Sequence, residues 1–94
     1  VIEKSLEGKV LRLGAYGLAD DHATGRYVLL LEGVGLLEFE ASGEWRMYLA
    51  LVGHGDQLWV MVEARKQRGD WRLKKAHCAQ LGPIEELLKG RIEA

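Results

Sequence analysis

Asp20, Asp21 and His22, together with His54 and Asp56, are the oxygen and nitrogen donors that gather in segments of turn composition. Such side chains hold a divalent ion when two loops meet. Asp, Gly and His are also ordinary turn residues, and neither DDH nor HGD has the spacing of a ligand signature. No metal and no cofactor is therefore expected. His77 beside Cys78 places a base next to a nucleophile. Neighbours on a strand point to opposite faces, so Cys78 reads as a small buried hydrophobe instead. The chain holds no GxSxG, HExxH or CxxC, and the GxG at 33–35 lacks the rest of a dinucleotide fingerprint. The expectation is a protein without catalytic residues.

The densest chemistry is basic. Arg65, Lys66, Arg68, Arg72, Lys74 and Lys75 surround Trp71 within eleven residues. Cations interleaved with an aromatic suit an acidic protein surface or anionic lipid heads. They equally suit a phosphate backbone with its bases. Lysines on an exposed hairpin also prevent edge-to-edge pairing with another chain, with no ligand involved. The function read from this stretch is a non-catalytic interaction module. It would bind a protein partner through the 65–75 hairpin, helped by exposed parts of Tyr48 and Trp59. Nucleic-acid or phosphate binding by the same hairpin is the alternative. A small-molecule pocket or enzyme domain between sheet and helix is the third class.

The segments that must position this hairpin lie in residues 44–78, which hold all three tryptophans. VGHGDQ and KQRGD divide the stretch into three runs of alternating pattern. Trp45, Met47, Leu49 and Leu51 share one parity, as do Leu58, Val60 and Val62, and then Trp71 and Leu73. Residues two apart on a strand share a face, which predicts an antiparallel meander with one apolar side. The other parity (Tyr48, Ala50, Val52, Trp59, Met61, Ala76, Cys78) is largely apolar too, so that face should be covered. The expected cover is a C-terminal helix begun at Pro83, with Ile84, Leu87, Leu88 and Ile92 on one stripe.

Upstream, Ile2, Leu6, Val10 and Leu13 sit at helical spacing, and a short helical turn is expected up to Gly8, with a strand from about Lys9. Residues 17–25 read as a loop. RYVLLLEG (26–33) is apolar on both parities and belongs near the sheet centre. Gly33 and Gly35 mark either a bend in one long strand or a tight hairpin before LLEFEAS (36–42). ASGE (41–44) reads as a hairpin turn. The predicted fold is α+β, a single small domain over residues 1–94. Its mostly antiparallel curved sheet has about five strands, with the C-terminal helix packed on one face.

Ninety-four residues, 48% hydrophobic and 29% charged, have room for one core and are not those of a disordered chain. A lone cysteine forms no internal disulfide, so the fold rests on burial and needs no oxidising compartment. No apolar run reaches the roughly 18 residues that span a bilayer, and no signal-peptide pattern is seen. Starting at Val1 fits a soluble domain cut from a longer protein, or simple processing. The net charge of −1 is uneven: residues 1–62 hold five bases and nine acids, and residues 63–94 hold eight bases and five acids. This modest polarity falls short of a nucleic-acid footprint over a whole domain.

From Gly43 the chain runs as an alternating apolar segment, then Val52-Gly53-His54-Gly55, Val60-x-Val62-x-Ala64 and Gly69-x-Trp71-x-Leu73. This order resembles the intermembrane-space domain of the accessory subunit of the mitochondrial inner-membrane presequence translocase, and of the related cytochrome oxidase assembly factors. Leu13-Gly14 would match their Leu-Gly after an N-terminal helix. The resemblance covers roughly residues 43–76. It implies a cystatin-like curved sheet and a non-enzymatic domain that docks on partner subunits at the mitochondrial inner membrane, its tether lying outside this chain. It carries over no functional residues.

Overall fold

The computed structural model describes residues 1–18, 24–64 and 70–86. Among the described residues, the named elements follow one another in the order β1 (Ile2–Leu18), β2 (Thr24–Leu31), β3 (Gly35–Ser42), α1 (Glu44–Leu51), β4 (Gln57–Ala64) and β5 (Arg72–Cys78). The strands close into a barrel in the order β1-β2-β3-β5-β4. All pairings are antiparallel except β3 with β5, which meet in parallel through one residue pair, Glu40 and Arg72. The chain is thus a small, strand-dominated domain of α+β type with a mixed five-stranded sheet.

β1 is long because it serves both halves of the barrel. Its first half, Ile2 to Lys9, pairs with β4, and Val10 to Leu18 pairs with β2. The expected helical turn before Gly8 is absent, and the reason lies in a bulge. Leu6 and Val10 share a parity, and the register irregularity between Val10 and Arg12 inserts Leu11, turning Leu13 to the same inner side. A bulged strand thereby imitates helical spacing. Gly8 marks the changeover between partners, where a Cβ would lie 3.1 Å from Glu32 O and 3.2 Å from the Leu31 Cβ. Only glycine lets the backbones come that close without displacement.

β2 and β3 form a hairpin through the turn at 32–34, with Gly33 and Gly35 at positive φ, so the tight-hairpin alternative holds. β2 lies between β1 and β3, as its apolar run required. The 41–44 segment, expected as a hairpin turn, instead leads through Gly43 into α1. Residues 44–51, expected as the first strand of the meander, are helical. EWRMYLAL contains no β-branched residue and is built largely of good helix formers. Trp45, Tyr48, Leu49 and Val52 stand at i, i+3, i+4 and i+7, and all four are buried or pack against the core. Met47 and Leu51, assigned to the apolar face by strand parity, are exposed.

Leu58, Val60 and Val62 of β4 point inward with no measurable exposure. On β5, Met61 pairs with Lys75 and Val62 with Leu73, leaving Lys74 as an extra residue. This bulge puts Lys74 and Lys75 both outside and Leu73, Ala76 and Cys78 all inside. The two apolar parities of β5 therefore face one interior. Trp59 and Met61, on the other face of β4, remain half-buried. Ile84 joins the core and residues 84–86 begin a helix, while the remainder of the expected helix lies outside the described residues. The interior is completed by Leu29, Leu31, Leu37 and Phe39, with the Tyr27 ring stacked on Phe39 at 5.8 Å.

Candidate functional site

The outer face of β1–β2–β3 is ordered by register into three rows. Arg12, Leu30 and Leu36 form the first, Gly14, Val28 and Glu38 the second, and Gly17, Arg26 and Glu40 the third. Leu36 is 64% exposed, and the space beside Gly14 is open, with nothing within 4 Å of a notional Cβ. Beyond the third row the face falls into a cleft of about 130 Å³, at the place where β3 meets β5. Tyr16, Arg26, Glu38 and Glu40 line it from the first three strands, and Asp70 and Trp71 from the connection leading into β5. Tyr16 is 56% exposed. The Arg26 Nε lies 3.5 Å from the Glu40 carboxylate, a partly exposed pair worth about 0.2–1 kcal/mol.

Trp71 is half-buried, packed against the core, with the Lys4 ammonium 4.5 Å from its ring centroid. That cation occupies a π-face a nucleobase would need. Glu40 N donates to Trp71 O at 2.9 Å, which fixes the indole beside the cleft. Of the described cations of the expected binding hairpin, Lys74 is paired. Lys74 Nζ is 3.4 Å from Glu3, and Arg72 stands in register between Glu63 of β4 and Glu40 of β3. Lys75 is exposed opposite Met61. Arg65, Lys66 and Arg68 lie outside the described residues. Tyr48, expected to show an exposed part, is 1% exposed and belongs to the core.

Asp20, Asp21 and His22 likewise lie outside the described residues, so their meeting with His54 and Asp56 is not part of this geometry. Asp56 accepts a hydrogen bond from Gly53 N at 2.8 Å, closing the turn between α1 and β4. Among the described residues no three His, Cys, Asp or Glu side chains form a metal-holding group. His77 is exposed and Cys78 buried, on opposite sides of β5. Burial pushes the Cys78 thiol above its usual range, and the Asp56 carboxylate 3.7 Å away adds to the shift. Such a thiol is a poor nucleophile at neutral pH.

A larger but shallow depression of about 500 Å³ lies beside α1, lined by Tyr27, Gly43, Arg46, Met47 and Ala50. The cleft differs in gathering aromatic and charged side chains from four strand regions. Sequence reading missed Tyr16, Arg26, Glu38, Glu40 and Asp70 because register and closure bring them together, not spacing. The available signal was the strand segment Gly14-Ala-Tyr-Gly17, where glycines flank an aromatic. The sequence matches no protein-family model, and no curated protein matches it significantly.

Proposed function

We propose that this chain is a non-catalytic binding module of the oligonucleotide/oligosaccharide-binding (OB) barrel type, and that its ligand is a protein. The architecture supports the first part. OB-folds are five-stranded Greek-key barrels that bind ligands on the β2–β3 face, between the β1–β2 and β4–β5 loops. The strand order, the parallel β3–β5 contact and the helix between β3 and β4 match that plan. Fold alone leaves the ligand open.

The charge of the cleft carries the choice of ligand. It offers three carboxylates and one guanidinium, and that guanidinium is paired with Glu40. A polyanion approaching the cleft would meet like charge, whereas a polypeptide meets exposed leucine and carboxylates that accept hydrogen bonds. The binding surface thereby moves from the basic hairpin to the barrel face beside it. Nucleic acid is the second reading, favoured by the barrel type and by Arg65, Lys66 and Arg68 in the β4–β5 loop.

Two measurements separate them. A photo-crosslinking amino acid at position 36, in the native host, is expected to yield a discrete protein adduct. Labelled oligo-dT at low salt is expected to show no anisotropy change. Oligonucleotide binding that weakens steeply with salt, and with Tyr16→Ala, would overturn the protein reading.

A further inference from the structure

We infer that the β1–β2–β3 face docks an extended segment of its partner protein in which an apolar side chain precedes or follows a single lysine or arginine. This rests on the protein-binding reading above and specifies the chemistry of the occupant.

Two features of the face set that chemistry. At one end, Leu30 and Leu36 stand beside Arg12 with Leu36 largely in solvent, and Val28 continues their apolar strip beside the open space at Gly14. At the other end, Glu38, Glu40 and Asp70 look onto the cleft between Tyr16 and Trp71. Arg26 balances one of the three carboxylates, which leaves the cleft complementary to a cation. The exposed Tyr16 ring also favours a cationic head, guanidinium above all, since its plane stacks while its edge donates to carboxylates. The first and third rows are separated by four residues along β2. At a strand rise of about 3.3 Å per residue, the apolar and basic anchors lie about 13 Å apart. An extended peptide running along the strands spans that distance with four residues, so the match is to a leucine and an arginine at i and i+4. Gly14, midway, leaves the floor clear for the intervening backbone.

The test is an NMR titration of the full chain with three probes: Ac-Ser-Leu-Thr-Val-Thr-Arg-Ser-amide, the same peptide with glutamate replacing its arginine, and oligo-dT. The expected result is that the arginine peptide shifts the amides of Gly14, Glu38 and Glu40 and the Trp71 indole. The glutamate peptide should bind at least about tenfold more weakly. Gly14→Leu, which fills open space on the outer surface, and Glu38→Lys should each weaken the arginine peptide to a similar degree with their spectral dispersion unchanged. Equal shifts from both peptides would overturn the charge assignment while leaving a protein-binding face. Shifts from oligo-dT alone would overturn the protein reading itself. No shift from any probe would overturn the docking role of this face.

Discussion

The hydroxyl of Tyr48 lies between two backbone groups at the end of β5, accepting from Cys78 N at 2.7 Å and donating to Gly82 O at 2.6 Å. Tyr48→Phe keeps the ring and removes both bonds, leaving a buried amide unsatisfied. We expect a loss of about 1–3 kcal/mol, read from urea unfolding. Burial raises the phenol above its ordinary 10.0 and the Cys78 thiol above its ordinary 9.0. Both groups are therefore easier to ionise unfolded than folded. Their contribution is complete below about pH 9 and is lost as pH rises through the raised folded values. Cys78→Ala should flatten the first part of that alkaline decline in a series of melts against pH. Two glycines of β1 should respond oppositely to alanine. Gly8→Ala meets Glu32 O and Leu31 and should cost about 1–3 kcal/mol. Gly14→Ala meets nothing and should be neutral, or stabilising by about 0.4–1 kcal/mol.

The strands most legible in the sequence are those that keep a single parity throughout. β4 alternates without interruption from Gln57 to Ala64, and β2 announces itself by a run apolar on both parities. Where reading failed, a bulge or a tertiary contact had changed the period. Leu11 makes β1 look helical, and Lys74 makes β5 look apolar on two faces. α1 failed for the opposite reason: its alternating Trp45, Met47, Leu49 and Leu51 are compatible with a strand, and composition together with the 45, 48, 49, 52 spacing was the better guide. Of the residues lining the cleft, Trp71 is singled out by its place in the sequence, but the cleft is not, since β3 shows Glu38 and Glu40 only as ordinary outward positions. The β5 bulge gives a direct check. Deleting Lys74 removes the extra residue, so Lys75 alone separates Leu73 from Ala76 and plain alternation keeps Leu73, Ala76 and Cys78 inside; urea unfolding should show the leucine's roughly 1.5–3 kcal/mol of burial retained. Lys74→Ala keeps the register, removes only an exposed pair with Glu3, and should cost less than about 1 kcal/mol by the same denaturation assay.

As a whole, the barrel is closed by contacts distant in sequence: β1 pairs with β4 across 48 to 62 residues, and β3 meets β5. Loop closure of that kind precedes any gain from pairing, so refolding is expected in milliseconds to seconds by stopped-flow fluorescence, not in microseconds. The junction of β3 with β5 is held by one residue pair, and the cleft sits on top of it. A ligand gripping Glu38 on one side and Asp70 on the other would act as a clasp across the thinnest weld of the wall. Occupancy and local opening then become one equilibrium seen from two ends: in hydrogen exchange, the Glu40 amide would open more readily than the Val60 amide in the free protein, and would gain the larger protection once the cleft is filled.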